Sequence, residues 1–226
     1  MDTNRLKYFQ QESSPLKNSR KEELANWFTH GLATILSVAG AVILFWSLAQ
    51  LGQISLVKWL SAGIYVATII VLYSASTLYH YTDNTRWKHY FRITDHCAIY
   101  VKIAGTYTPF LVLALPHIYG YKLLFVIWLI TIAGIVFKIF FVHKYNYVST
   151  IIYLGMGWLA IFVIRPFYLA VPQEVFLYIM AGGVCFSLGV IFYLLKKLPY
   201  SHAIWHLFVM GGSSFHFVAV YQYLIP

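Results

Sequence analysis

The chain has 226 residues, of which 60% are hydrophobic, 19% aromatic and only 10% charged. A water-soluble domain carries roughly 25% charged residues, so this composition excludes an ordinary soluble globular protein and makes lipid the expected solvent. Lys and Arg number 16 against 7 Asp and Glu, a net charge of +9 that in a soluble protein would suggest nucleic acid and in a membrane protein bears first on topology.

Residues 1–25 carry Arg5, Lys7, Lys17, Arg20 and Lys21 among acids and lack the apolar core of a signal peptide, so they read as a polar tail. From Phe28 to Ala49 no formal charge interrupts the chain, and about 20 apolar residues suffice to cross the hydrocarbon as a helix. Further runs are Leu56 to His80, Ile93 to Leu115, Leu123 to Val142, Val148 to Ile164, Val175 to Leu195 and His202 to Leu224. The fifth is short and can extend through Arg165 and Pro166. Barrel strands would alternate polar and apolar residues, whereas these runs are apolar on every side. The expectation is an all-α polytopic membrane protein with a tail over residues 1–25 and one domain of seven transmembrane helices over residues 26–226. Cys97 and Cys185 lie in apolar segments without CxxC spacing, so no disulfide framework and no cysteine metal site is expected.

With alternating spans, twelve of the sixteen cations fall on the side of the tail, Lys58, Lys122 and Arg165 on the other, and Lys102 within the third span. That bias predicts a cytoplasmic N-terminus and an external C-terminus, and it accounts for the positive charge without nucleic acid. The basic tail is expected to rest on anionic lipid.

Polar residues inside apolar helices are expensive and therefore informative. His30 begins the first span, Ser76 and His80 end the second, Asp95 begins the third, and His202 and His206 begin the seventh. Alternation places all six at the cytoplasmic end. His202 and His206 are four apart, so both imidazoles share one helix face about 6 Å apart along the axis. Ser76 and His80 repeat that spacing. A third histidine from another helix would complete three nitrogen donors with one tetrahedral position open, the arrangement of a catalytic zinc. Imidazoles also accept copper, nickel, cobalt or iron. Asp95 could hold or deprotonate water, and Ser76 could orient it or polarise a carbonyl.

Plainer readings stand beside these. Ser76 can bond to the carbonyl four residues back, and Asp95 can cap a helix or sit in its first turn. His96 points about 100° away from Asp95. His89, His117 and His143 fall in loops, where exposed imidazoles need no special role. His216 lies roughly 15 Å beyond His206 and suits interhelical hydrogen bonding. Lys102 has no partner legible in the sequence. Pro109 is expected to bend the third span, with nearby Thr hydroxyls satisfying freed carbonyls. Gly155, Gly157, Gly182, Gly183, Gly211 and Gly212 suggest close helix contacts.

Glu22 to Gly31 (EELANWFTHG), Ser76 to His80 (STLYH), Asp95 with Gly105 to Phe110 (GTYTPF), and Ser201 to His206 (SHAIWH), in that order and with those spans between them, resemble the hemolysin III family. This is the bacterial branch of the progestin and adipoQ receptor proteins, and the resemblance runs from residue 22 to the C-terminus. It implies seven helices, a cytoplasmic N-terminus, a bacterial inner membrane and a zinc ion near the cytoplasmic side. His80, His202 and His206 take the positions of the family's metal ligands. Asp95 takes that of an Asp that approaches through water, and Ser76 that of the family's Ser. His30 and Glu23 match the first-helix motif, where a supporting hydrogen-bond role is expected. Hormone binding is not carried over, because the tail here is short. The family's metal site is similar to that of alkaline ceramidases, which implies zinc-dependent hydrolysis of lipid amide or ester bonds, with membrane lipids as substrates. Two other expectations come from different classes: a membrane-lytic, pore-forming protein, and a non-catalytic membrane sensor with structural zinc.

Overall fold

The computed structural model describes residues 19–225, and every regular element among them is helical. In chain order these are α1 (Arg20–Gln50), α2 (Leu56–Tyr81), α3 (Thr85–Leu113), α4 (His117–Phe141), α5 (Asn146–Gly157), a 3-10 turn (Leu159–Val163), α6 (Ile164–Ala170), α7 (Gln173–Leu194) and α8 (Ser201–Leu224). The three short pieces together form one pass, Asn146–Ala170, which does run through Arg165 and Pro166. Six of the resulting seven helical units are long and apolar enough to cross a membrane; α3 has the length, at 29 residues, but is more polar in composition. The basic tail residues Arg5, Lys7 and Lys17, with their expected contact to anionic lipid, lie outside the described residues.

Burial is inverted relative to a soluble protein. Phe162 is 79% exposed and Phe140 72%, whereas Asn26, His30, Ser76, Thr131, Lys138 and His206 are buried. Apolar surface on this scale is tolerable only where lipid replaces water. The chain is a polytopic α-helical integral membrane protein.

Helix ends reach past the apolar runs because backbone hydrogen bonding does not require lipid. Ser19 caps α1 through a reciprocal pair: the Glu22 N–H donates to Ser19 Oγ, and the Ser19 N–H donates to Glu22 Oε2. Asn84 caps α3 by accepting from the N–H groups of Arg86 and Trp87. Asp95 is therefore neither a cap nor a first-turn acid; it sits well inside α3 and is buried.

Successive helices pack as neighbours, and α1 packs on both α2 and α8, which closes the bundle. At the α2–α3 crossing, a Cβ on Gly105 would overlap the Thr68 side chain, so the backbones meet more closely than any other residue permits. At the α7–α8 crossing Gly182 makes room in the same way for the His216 ring, whose Nε2 donates to the Ile179 carbonyl at 3.1 Å. This is the interhelical bond expected of His216. Gly155 and Gly157, by contrast, face open space, because the fifth pass breaks there instead of packing. Tyr107 from α3 repairs the break: its hydroxyl lies 3.2 Å and 2.6 Å from the Met156 and Gly157 carbonyls and accepts the Ala160 N–H at 3.0 Å. Around Pro109 the hydroxyls of Thr106 and Thr108 donate to the carbonyls of Lys102 and Ala104, each four residues back.

Candidate metal centre

His80 lies on the last turn of α2, and His202 and His206 lie on the first two turns of α8. Antiparallel packing brings these ends to the same level. One ligand nitrogen from each of the three histidines lies within 4.8 Å of those of the other two. Ring centroids are 5.1 Å apart for His80–His202, 5.3 Å for His80–His206 and 4.6 Å for His202–His206. Three nearby imidazoles of this kind can hold a metal ion.

The hydrogen bonds around the cluster set which nitrogen of two of the rings carries the proton. Glu23 Oε2 lies 2.7 Å from His80 Nδ1, and a carboxylate can only accept, so His80 carries its proton on Nδ1 and its lone pair on Nε2. Thr29 lies 3.0 Å from His206 Nδ1. Its hydroxyl proton is directed to the carbonyls of Ala25 and Asn26, both at 2.9 Å, so Thr29 accepts from the His206 Nδ1–H and leaves the Nε2 lone pair. The Nε2 atoms of His80, His202 and His206 are all buried and have no hydrogen-bond partner among the described residues. Buried polar atoms are normally satisfied, and three unpartnered nitrogens on three clustered rings fit a cation held in common.

Asp95 and Ser76 reach the same place from α3 and from one turn before His80 on α2, and they lie beside each other. Ser76 Oγ is buried without a well-formed hydrogen bond, so it does not spend its proton on the carbonyl four residues back. His30 departs from expectation. Instead of making a supporting hydrogen bond it stacks on His206, with centroids 3.4 Å apart and planes 14° apart, and neither of its nitrogens has a partner among the described residues. The hydrogen-bonding role expected of the first-helix motif belongs to Glu23, with Thr29 beside it.

A cavity of about 930 Å³ opens from the cluster into the bundle. Its α3 wall is a helical stripe that includes Asp95, Lys102 and Phe110, and Phe167 and Met180 line it at the far end. Lys102, which lacked a partner in the sequence, is buried on this wall with its ammonium 3.8 Å from the centre of the Phe186 ring. His89 and His143 are not isolated loop imidazoles. Arg92 Nη1 lies 2.9 Å from His143 Nδ1, and His143 Nε2 lies 3.0 Å from His89 Nδ1. Arg can only donate, so the protons run from Arg92 to His143 to His89.

These features define a class: a multi-pass α-helical membrane protein with a buried three-histidine cluster, able to hold a metal ion, at the wall of a large cavity. The chain belongs to the haemolysin-III related family, whose model matches residues 18–217. It is 45% identical over 206 residues to Hemolysin-3 of Bacillus cereus, covering 91% of this chain and 93% of that protein. To the Hemolysin-3 homolog of Bacillus subtilis (strain 168) it is 43% identical over 207 residues, covering 91% and 95%. More distantly, it is 28% identical over 236 aligned positions to the Monocyte to macrophage differentiation factor of Homo sapiens, covering 98% and 94%.

Proposed function

We propose that this protein is a zinc-dependent hydrolase of lipid amide or ester bonds that works from within the bacterial inner membrane, with its N-terminus in the cytoplasm and its C-terminus outside. The observation that carries this reading is a cluster of three histidines whose Nε2 atoms are buried and have no hydrogen-bond partner among the described residues, set at a largely apolar cavity that His80, His202 and Asp95 line. His80, His202 and His206 would hold the ion, and zinc there would supply a water with its pKa lowered to about 7 and would polarise a carbonyl.

The chain's own residues supply the rest. Glu23 and Thr29 hold His80 and His206 in the tautomers that present Nε2 inward. Asp95 is placed to take a proton from water as it attacks the carbonyl carbon, and to return that proton to the leaving amine or alcohol as the C–N or C–O bond breaks. The Ser76 hydroxyl donates toward the carbonyl oxygen as charge develops on it. Inward of this layer the α3 stripe runs from Asp95 to Phe110, about 22 Å of helix axis, which is depth for an extended acyl chain.

The test combines metal analysis with lipid products. Purified wild type should contain close to one zinc per chain and release fatty acid from a lipid amide or ester. Asp95→Asn should keep zinc and lose about 10²–10⁴-fold in turnover. Full turnover in the His80→Ala, His202→Ala and His206→Ala variants refutes the reading.

A lytic reading draws support from the name hemolysin carried by the bacterial relatives. It predicts dye release from liposomes that is unaffected by Asp95→Asn. Against it stands the direction of the polar residues, which gather around the bundle's own cavity while the outer surface stays apolar.

A further inference from the structure

The cavity is not electrically neutral along its length. At its outer end it is lined by Lys88, Arg92, His143 and Lys196. Glu23 and Asp95 are the acids on the wall: Glu23 is 2.7 Å from His80 and 3.9 Å from Lys88, and Asp95 lies beside Ser76 and within electrostatic reach of Arg92, so these two carboxylates face Lys88, Arg92, Lys102 and Lys196 and cations remain in excess. Arg92 is the centre of the basic group, within electrostatic reach of His96, Lys138 and Lys196. Lys196 rests over the Tyr193 ring at 3.8 Å and Lys88 over Tyr79 at 5.4 Å, so both ammonium groups are held against aromatic rings at the rim.

Concentrating like charge costs energy unless something of opposite sign enters. Arg92 shows where that would be. One arm of its guanidinium is fixed by His143, which itself is held by His89, so the plane is oriented by a chain of two imidazoles. Its Nε is buried, with no hydrogen-bond partner among the described residues. A pre-oriented guanidinium with an unsatisfied buried N–H is suited to an oxyanion, and phosphate matches its fork.

The position along α3 then orders a ligand. Arg92 stands one turn outward of Asp95, about 4.5 Å along the axis, and Lys102 and Phe110 follow inward on the same stripe. We infer that the cavity takes an anionic phosphate-bearing lipid, with its phosphate held by Arg92 and Lys196 at the rim, its carbonyl at the histidine layer and its acyl chain inward. This deepens the hydrolase reading by naming its substrate class, and only the placement of the carbonyl rests on that reading. Arg92 and Lys196 are specificity residues that touch the headgroup.

Binding tests it on the full-length protein in nanodiscs of zwitterionic lipid, with two probes that share one acyl chain, a lysophosphatidate and a monoacylglycerol. Wild type and His202→Ala should both bind the lysophosphatidate at least tenfold more tightly than the monoacylglycerol. Arg92→Gln and Lys196→Gln should each reduce that preference about tenfold while leaving monoacylglycerol affinity unchanged. Lys196 lies on the exposed rim, so its variant is informative even if Arg92→Gln fails to fold. Inorganic phosphate at 10 mM should displace little of the bound lysophosphatidate; full displacement overturns the lipid assignment in favour of a soluble oxyanion. Equal affinity for the two probes in wild type, or an unchanged preference in the folded Lys196→Gln protein, also overturns it. Absence of turnover with the preference intact refutes the hydrolase reading and leaves the headgroup site standing.

Discussion

Replacing Glu23 by Gln removes one charge from a residue that reaches His80 through its Nδ1 and leaves the three histidines in place. The bond concerned is 2.7 Å long, with the His80 side chain 2% exposed and that of Glu23 24% exposed, so it is short and only partly reached by water. The carboxylate does two things for the ring. It fixes the proton on Nδ1, and it makes Nε2 a better donor by drawing positive charge toward the far nitrogen. Loss of such a partner typically costs 10–100-fold in metal affinity, about 1.4–2.7 kcal/mol. Glu23→Gln is therefore expected to weaken zinc by that factor, measured by competition with a chromophoric chelator on purified protein. Lys88 approaches the same oxygen at 3.9 Å with 29% of its side chain exposed, a pair worth at most ~1 kcal/mol, so Lys88→Met should change zinc affinity less than fivefold. If Glu23→Gln binds zinc as tightly as wild type while His202→Ala does not bind it at all, the role given to the Glu23 charge is wrong.

Thr29→Val deletes the acceptor of the His206 Nδ1–H at nearly constant volume, so zinc affinity should fall about tenfold, with Thr29→Ser close to wild type in the same chelator assay. Tyr107→Phe leaves the Met156 and Gly157 carbonyls and the Ala160 N–H without their side-chain partner. At about 1–3 kcal/mol for unsatisfied buried groups, thermal unfolding in detergent should shift down by roughly 2–12 °C, and an unchanged midpoint would remove Tyr107 as the brace of the broken pass. Zinc at 100 times its Kd should raise wild-type stability by about 2.7 kcal/mol and that of His202→Ala by nothing, read as the midpoint before and after chelation.

Much of this architecture is written in composition and spacing. Each of the seven apolar runs coincides with one of the observed helical units, three of them ending one or two residues past the helix, and His202 and His206, four apart on α8, do meet His80 at a shared centre. Two kinds of feature escaped. The first is where helices begin, since α1 and α3 extend through charged residues outside the apolar window; the Ser19-x-x-Glu22 capping box and the Asn84 cap were visible signals for both. The second is whatever depends on how one helix is rotated against another. Thr29 carries no local mark, and its relation to His206, 177 residues away, exists only once α1 has docked on α8. The Arg92–His143–His89 chain is of the same kind, joining α3 to the turn between α4 and α5. Even the break of the fifth pass is tertiary, because the Tyr107 hydroxyl that satisfies its carbonyls comes from α3.

The first helix explains why a site shared between α2 and α8 can be built at all. Those two helices have little backbone contact of their own, whereas α1 packs against both. From this position α1 sends Glu23 to the α2 histidine and Thr29 to one of the α8 histidines, and it lays the His30 ring flat on His206. Glu22 adds a tie at the same level, accepting the Tyr200 N–H at 2.9 Å just before α8 begins. The helix that supplies none of the three clustered nitrogens thus sets the orientation of two of the three rings. A shift of α1 by one turn, about 5.4 Å, would separate Glu23 and Thr29 from their imidazoles together, so the cluster's readiness for a cation is coupled to the docking of α1 as a rigid element.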